Sequence, residues 1–163
     1  MIYLDIDGVC VDFVGTAKKF GVELEHNRFD MWKWCDKECH NWATTPHRCC
    51  PRPTPEQFYA VAELQPWFDK LLDIFHNKNE KFLTKDYASI KTGWLILNGY
   101  GCTDVAIEAP NKSVHCQHPT DLLIDDNAAE CQRWRDKGGI AYHFDLADPD
   151  PFGKFLAWWR LGR

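Results

Sequence analysis

The sequence predicts an α/β fold: a Rossmann-like, three-layer sandwich in which helices cover both faces of a mainly parallel sheet, with a small inserted cap. Short apolar runs alternate with amphipathic segments along most of the chain, as in sheets whose strands are joined by helices. Polar residues follow several of the apolar runs, and one long irregular segment interrupts the alternation. A chain of 163 residues suits one domain with an inserted subdomain.

Five short apolar runs are the predicted strands. In chain order they are IYLDI, EKFLTK, TDVAIE, TDLLIDD and GIAYHF. Their length and composition favour buried strands, and the amphipathic segments between them favour parallel crossovers.

Four segments are predicted as the helices that cover this sheet. The segment PWFDKLLDIFHN precedes the second strand, and DYASIKTGWLILNGYG follows it with Gly99 or Gly101 as its end. The segment DNAAECQRWRDKGG begins at Asn127 and stops at Gly138, and PDPFGKFLAWWRLGR is the last helix. Asp12 is predicted to cap a further helix after the first strand.

The irregular segment lies between the first strand and the helix that leads to the second. From about residue 21 to residue 66 it is rich in tryptophan, cysteine and proline and shows no clear periodicity. We expect residues 15–66 to form a cap over the carboxyl edge of the sheet, where open α/β sheets bind ligands. Residues 1–14 and 67–163 would then form the core.

Charge and hydropathy narrow the class of partner. The net charge of -5 argues against stable binding to nucleic acid, which needs a basic surface. The sequence shows no secretory signal pattern and no run of about 18 apolar residues that would span a bilayer. We therefore expect a soluble, cytoplasmic protein with a small-molecule substrate and no membrane partner.

Polar side chains at the strand ends predict a catalytic site. They are Asp5, Asp7, Thr84, Lys112, Asp125 and Asp126. Carboxylates so close together repel one another and favour a divalent cation, and oxygen ligands suit Mg²⁺. A hydroxyl and an ammonium nearby would bind the oxygens of a phosphoryl group. The sequence thus predicts phosphoryl transfer, in which one carboxylate attacks phosphorus and another moves the proton.

The segments DIDGV, FLT, NK and LLIDD, in this order, resemble the four signature motifs of haloacid dehalogenase superfamily phosphatases. The resemblance implies a haloacid dehalogenase-like core in which Asp5 is the nucleophile and Asp7 the general acid and base. It also implies that Thr84 binds the phosphoryl group and that Lys112 stabilises its charge, a role for which Lys85 and Lys91 compete. The implied Mg²⁺ ligands are Asp5, Asp7, Asp125 and Asp126.

Within that superfamily, DIDGVCVDF together with DLLIDDN is most similar to the 5′(3′)-deoxyribonucleotidases, which carry an insertion cap between the first two motifs. The resemblance implies a phosphatase for nucleoside monophosphates. Lys85 stands where relatives often carry a small hydroxyl residue, and we expect it to contact the substrate. Two alternatives remain: a polynucleotide 3′-phosphatase, suggested by LLIDDNAAECQRWRDKGG, and a catalytically silent binding module.

The cap aromatics and cysteines each have more than one interpretation. Phe13, Trp32, Trp34 and Trp42 either stack on a nucleobase or build a small core for the cap. The segments CDKECH and HRCC favour a structural Zn²⁺ site, free buried thiols or a disulfide. The candidate Zn²⁺ ligands are Cys35, Cys39, His40, His47, Cys49 and Cys50.

Overall fold

A computed structural model of the chain describes residues 1–20, 53–75, 78–100 and 106–162. This part of the chain contains one five-stranded sheet in which all the paired strands run parallel. The strands are β1 (Ile2–Asp5), β2 (Glu80–Thr84), β3 (Ile107–Glu108), β4 (Leu122–Asp125) and β5 (Ile140–His143), in the order β3-β2-β1-β4-β5. The predicted α/β class and parallel sheet are confirmed.

The register of the strands brings their carboxyl ends to one edge. Asp5 pairs with Leu83, the neighbour of Thr84, and Asp125 pairs with His143. Since β1 lies between β2 and β4, the polar residues that follow these strands are close together although they are distant in sequence.

Six α-helices and one 3₁₀ helix occur among the residues described. They are α1 (Phe13–Lys19), α2 (Pro55–Val61), α3 (Phe68–Phe75), α4 (Ala88–Leu97), the 3₁₀ helix (Lys112–His115), α5 (Ala128–Asp136) and α6 (Pro151–Arg160). None of the helices that can be described is long and apolar enough to cross a bilayer.

Several helix ends agree with the sequence signals. Asp12 caps α1 by accepting a hydrogen bond from the Gly15 amide at 2.9 Å. Asn127 caps α5, and Gly138, just beyond its end, has a φ of +89°. Gly99 has a φ of +90° just beyond α4, so the predicted end of that helix is confirmed there rather than at Gly101, which lies outside the described residues.

Helix α2 corrects one expectation, because residues 55–61 lie in the segment predicted to be irregular. Thr54 and Gln57 form a capping box: the Gln57 amide donates to Thr54 Oγ1 at 3.3 Å, and the Thr54 amide donates to Gln57 Oε1 at 3.0 Å. Pro55 occupies the first turn, where its missing N–H costs no hydrogen bond. The extent of a cap over residues 15–66 stays a prediction, since residues 21–52 are outside the described part.

Two buried clusters cover the faces of the sheet. Leu4, Phe82 and Ile124 belong to the larger cluster, whereas Tyr3, Leu83 and Leu123 belong to the smaller one with Trp134 of α5. Successive residues of a strand point to opposite faces, so the clusters lie on opposite sides. All four residues of β1 and of β4 are buried, as expected of central strands in a parallel sheet.

Candidate active site

Three charged side chains lie fully buried at the carboxyl edge of the sheet. Lys112 Nζ is 2.6 Å from Asp125 Oδ2 and also donates to Asp5 Oδ1. Asp5 is 1 % exposed, and Asp125 and Lys112 are 0 % exposed. Buried charges are costly unless they are paired and hydrogen-bonded. The ammonium of Lys112 offsets the two carboxylates at the centre of this edge.

The 3₁₀ helix after β3 brings Lys112 to these carboxylates. Asn111 caps it by accepting a hydrogen bond from the Ser113 amide at 3.2 Å. Lys112 is the first residue of this helix and sits in the loop region between β3 and β4. A short-range Asn-Lys-Ser turn thus places a residue that the sequence predicted to lie in the site.

A group of three carboxylates lies at the ends of β1 and β4. Oxygen atoms of Asp5, Asp125 and Asp126 lie within 4.8 Å of one another. The Asn127 amide donates to Asp125 Oδ1 at 2.8 Å and orients that carboxylate. A donor set of converging carboxylate oxygens, without nitrogen or sulfur, fits Mg²⁺.

Gly8 lets the backbone turn beside this acidic group. Its φ is +80°, and a Cβ atom at this position would lie 2.7 Å from Asp126 Cγ. Real Cβ atoms do not approach other atoms so closely, and residues with a side chain rarely adopt this φ. The glycine is therefore needed both for the conformation and for the position of the Asp126 carboxylate.

Asp7 is held by a second set of partners. Lys91 Nζ lies 2.8 Å from Asp7 Oδ2, and the Tyr59 hydroxyl donates to Asp7 Oδ1. The structure groups the other three acids as possible metal ligands and gives the Asp7 carboxylate these partners. A metal-binding role for Asp7 stays a prediction.

Lys91 of α4 joins Asp7 to the end of β2. Its Nζ atom donates to Thr84 Oγ1 at 2.5 Å and to Asp86 Oδ1 at 3.0 Å, and the side chain is 0 % exposed. The Thr84 hydroxyl in turn donates to the Asp86 carbonyl oxygen at 3.1 Å. One lysine thus connects the predicted general acid to the predicted phosphoryl-binding hydroxyl.

Lys85 points to a buried acid of α5. Its Nζ atom lies 2.6 Å from Glu130 Oε1, and Arg133 contacts the same carboxylate. Burial alone would raise the pKa of Glu130, but hydrogen bonds from Arg133 and Lys85 outweigh it and hold that pKa below its ordinary value. A contact between Lys85 and substrate stays a prediction.

Two buried thiols donate to the strand ends that carry the acids. Cys10 Sγ lies 3.0 Å from the Asp5 carbonyl oxygen, and Cys131 Sγ lies 3.5 Å from the Asp125 carbonyl oxygen. Burial raises the pKa of Cys10 well above its ordinary value and raises the pKa of Cys131 to about 12. Both side chains are therefore neutral thiols that act as hydrogen-bond donors.

The structure brings most of the predicted core residues to one edge of the sheet. Asp5, Lys112, Asp125 and Asp126 form one group, and Asp7 and Thr84 meet through Lys91. Phe13 is 2 % exposed and its ring packs 4.5 Å from that of Phe58, a core position that gives no support to contact with a base. The remaining predicted cap residues lie outside the described part: Trp32, Trp34, Trp42, Cys35, Cys39, His40, His47, Cys49 and Cys50.

Two residues in contact with Asp7 were not assigned to it by sequence reasoning. Tyr59 lies in the helix that had been expected to be irregular, and the sequence Thr54-Pro55-Glu56-Gln57 is the capping signal that would have revealed that helix. Lys91 was considered only as a rival for the role of Lys112. Nothing in its local sequence indicates that a lysine in α4 would be fully buried.

The comparisons with known proteins support the fold. No protein-family model and no curated protein matches the chain. A solved structure, a phosphonoacetaldehyde hydrolase-like protein from Oleispira antarctica, is similar with a TM-score of 0.50 and 14 % sequence identity, over 87 % of this chain and 71 % of that one. This likeness agrees with the predicted haloacid dehalogenase-like hydrolase fold.

Proposed function

We propose that this protein is a Mg²⁺-dependent phosphomonoesterase that hydrolyses nucleoside monophosphates, with 5′(3′)-deoxyribonucleotides as the favoured class. The observation that carries the proposal is the buried contact of Lys112 with both Asp5 and Asp125, at the edge where the parallel strands end. A nucleophile, a compensating cation and a converging carboxylate group occur together there, as phosphoryl transfer requires.

Asp5 is the proposed nucleophile. Its carboxylate oxygen forms a bond to phosphorus while the bond from phosphorus to the ester oxygen breaks, and Asp7 gives its proton to that leaving oxygen. In the second half of the reaction, Asp7 takes a proton from water as the water oxygen bonds to phosphorus and the bond to Asp5 breaks. The products are an alcohol and inorganic phosphate, and both carboxyl groups return to their starting state.

Lys112 and the acidic group supply the charge that this reaction needs. The ammonium of Lys112 lies against Asp5 and is placed to stabilise negative charge on the phosphoryl oxygens. Asp5, Asp125 and Asp126 are the residues that would hold Mg²⁺. When bound, Mg²⁺ supplies further positive charge for the phosphoryl group and offsets the repulsion between these carboxylates.

Support for a nucleotide substrate comes from the motif resemblance and the net charge. The net charge of -5 weighs against an oligonucleotide end, because that substrate needs a basic approach. The alternatives differ in measurable ways: a polynucleotide 3′-phosphatase would hydrolyse an oligonucleotide 3′-phosphate, and a silent binding module would hydrolyse neither substrate.

The experiment is a phosphate-release assay over a panel of nucleoside monophosphates and an oligonucleotide 3′-phosphate, with and without Mg²⁺. We expect release from the monophosphates, dependence on Mg²⁺, and loss of activity in Asp5→Asn. Hydrolysis of the oligonucleotide alone would contradict the substrate class, and a protein without activity on any phosphomonoester would contradict the enzyme proposal.

A further inference from the structure

The carboxylate of Asp7 is fixed by two side chains to which the mechanism above gives no role. The Tyr59 hydroxyl donates to Oδ1, and Lys91 Nζ lies 2.8 Å from Oδ2. Asp7, Tyr59 and Lys91 are 7 %, 4 % and 0 % exposed. Water therefore competes little for these hydrogen bonds, which are stronger for that reason. With a donor on each oxygen, the plane of the carboxylate is set.

Tyr59 reaches Asp7 from a segment that is tied to the loop after β1. The Asp12 amide donates to the Glu63 carbonyl oxygen at 2.9 Å, and the Gln65 amide donates to the Cys10 carbonyl oxygen at 2.8 Å. The Gln65 side chain adds a hydrogen bond of 2.9 Å to the Gly8 carbonyl oxygen. These bonds fix the end of α2 beside the loop that carries Asp7.

Lys91 reaches Asp7 from the opposite part of the site. Helix α4 packs against α2, and Trp94 Nε1 donates to the Ala62 carbonyl oxygen at 3.0 Å. Thr84 and Asp86 accept the other hydrogen bonds of the Lys91 ammonium. All three donors of that ammonium thus have acceptors, and the side chain has one defined position.

We propose that Tyr59 and Lys91 are positioning residues for proton transfer by Asp7, and that they enable this enzyme to expel the poor leaving groups of alcohol phosphates. The inference rests on the proposed function, because it assigns work to the same general acid. It also narrows the substrate class to phosphate esters of alcohols, such as the sugar hydroxyls of nucleotides.

The two residues serve Asp7 in different protonation states. A tyrosine hydroxyl can donate to an ionised carboxylate and accept from a protonated carboxyl, whereas an ammonium only donates. Tyr59 can therefore keep Asp7 oriented both before and after the proton moves. Lys91 is a partner for the ionised form, which is the form that receives a proton from water in the second half of the reaction.

The chemistry of the leaving group provides a test. When the bond between phosphorus and the ester oxygen breaks, its electron pair stays on that oxygen. An alcohol oxygen needs the Asp7 proton as this happens, but 4-nitrophenolate is stable without it. A misplaced Asp7 should therefore slow phosphoryl transfer from alkyl esters far more than transfer from 4-nitrophenyl phosphate.

The experiment measures kcat/KM of Tyr59→Phe in the full-length chain for a series of alkyl and aryl phosphates. This constant reports the steps up to transfer of the phosphoryl group to Asp5. We expect a loss of about 10-fold or more for alkyl esters and of less than about 2-fold for 4-nitrophenyl phosphate, out of the roughly 10²–10⁴-fold that general acid catalysis supplies. Lys91→Met should also lose more activity on alkyl esters than on 4-nitrophenyl phosphate.

Matched variants control for the lost contacts themselves. The Tyr100 hydroxyl donates to Asp69 Oδ1 at 2.8 Å in an exposed position, so Tyr100→Phe removes a similar hydrogen bond outside the site. The exposed Lys154 pairs with Asp148, and Lys154→Met removes a similar ion pair. Both variants should leave the dependence on leaving group as it is in the wild type.

Partial unfolding cannot imitate the expected result, because a smaller folded fraction lowers kcat/KM equally for every ester. An equal loss over the whole series, or no loss, would overturn the role of Tyr59 or of Lys91 while the proposed function still holds. A wild-type protein that hydrolyses none of the esters would instead contradict the proposed function itself, and this inference with it.

Discussion

Lys112 Nζ lies 2.6 Å from Asp125 Oδ2, and both side chains are 0 % exposed. They belong to different elements, the 3₁₀ helix and β4, and they meet where β4 ends beside β1. With Asp5 on the other side of the ammonium, this contact couples the stability of the sheet edge to the chemistry proposed for it.

Replacing Lys112 tests that coupling. Lys112→Met leaves two buried carboxylates without their cation, and breaking a buried ion pair costs about 3–5 kcal/mol. We expect a loss of about that size in the free energy of unfolding, measured by urea denaturation at neutral pH, together with loss of phosphatase activity. Lys154→Met, at an exposed ion pair, should change stability much less. Equal stability of the two variants would contradict the account of this edge.

A substitution at Gly8 separates backbone strain from damage to the acidic group. Gly8→Ala forces an ordinary residue into a φ of +80° and places a Cβ 2.7 Å from Asp126 Cγ. Gly138→Ala faces a similar φ of +89° with no atom within 4 Å. Both variants should lose about 1 kcal/mol or more of stability from the backbone.

Only Gly8→Ala should also lose activity and require more Mg²⁺ for half-maximal phosphate release, because only there is the Asp126 carboxylate displaced. The measurement is a Mg²⁺ titration of phosphate release for both variants. Identical titration curves for the two would show that the contact with Asp126 has no bearing on the site.

The pKa of Glu130 predicts part of the pH dependence of stability. Contacts with Arg133 and Lys85 outweigh burial and hold it below the ordinary value of 4.5. A carboxyl whose pKa is lower in the folded state adds stability above its unfolded pKa, and that stability is lost as the pH falls through the folded value. In Glu130→Gln this contribution is absent.

The wild type should therefore lose more free energy of unfolding than Glu130→Gln when urea unfolding is measured first near neutral pH and then at a pH below about 4. Parallel losses in the two proteins would mean that Glu130 has the same pKa in the folded and unfolded states.

The positions of Asp5, Thr84 and Asp125 were predictable because each follows an apolar run, and the carboxyl ends of parallel strands share an edge. Lys112 required the motif order as well, since a lysine in a polar loop has no periodicity to place it. These predictions depend on short stretches of sequence whose local structure follows from composition.

Tyr59 and Lys91 were not predictable in the same way. Their contacts with Asp7 depend on how α2 and α4 pack against each other and on the backbone bonds that tie residues 63–65 to residues 8–12. Such contacts arise from tertiary packing, and neither residue stands in a local pattern that distinguishes it from an ordinary helix residue. The capping box of Thr54 and Gln57 was the one local signal, and it indicates the helix rather than the contact.

Transfer of the phosphoryl group to Asp5 is the central claim, and trapping that group tests it most directly. The wild type would be mixed with a phosphomonoester substrate and Mg²⁺, quenched in acid within the first turnover, digested, and examined by mass spectrometry. We expect one added phosphoryl group on the peptide that contains Asp5, and none in Asp5→Asn. An Asp5→Asn variant that releases phosphate at the wild-type rate, with no phosphoryl group on the Asp5 peptide of the wild type, would contradict the account.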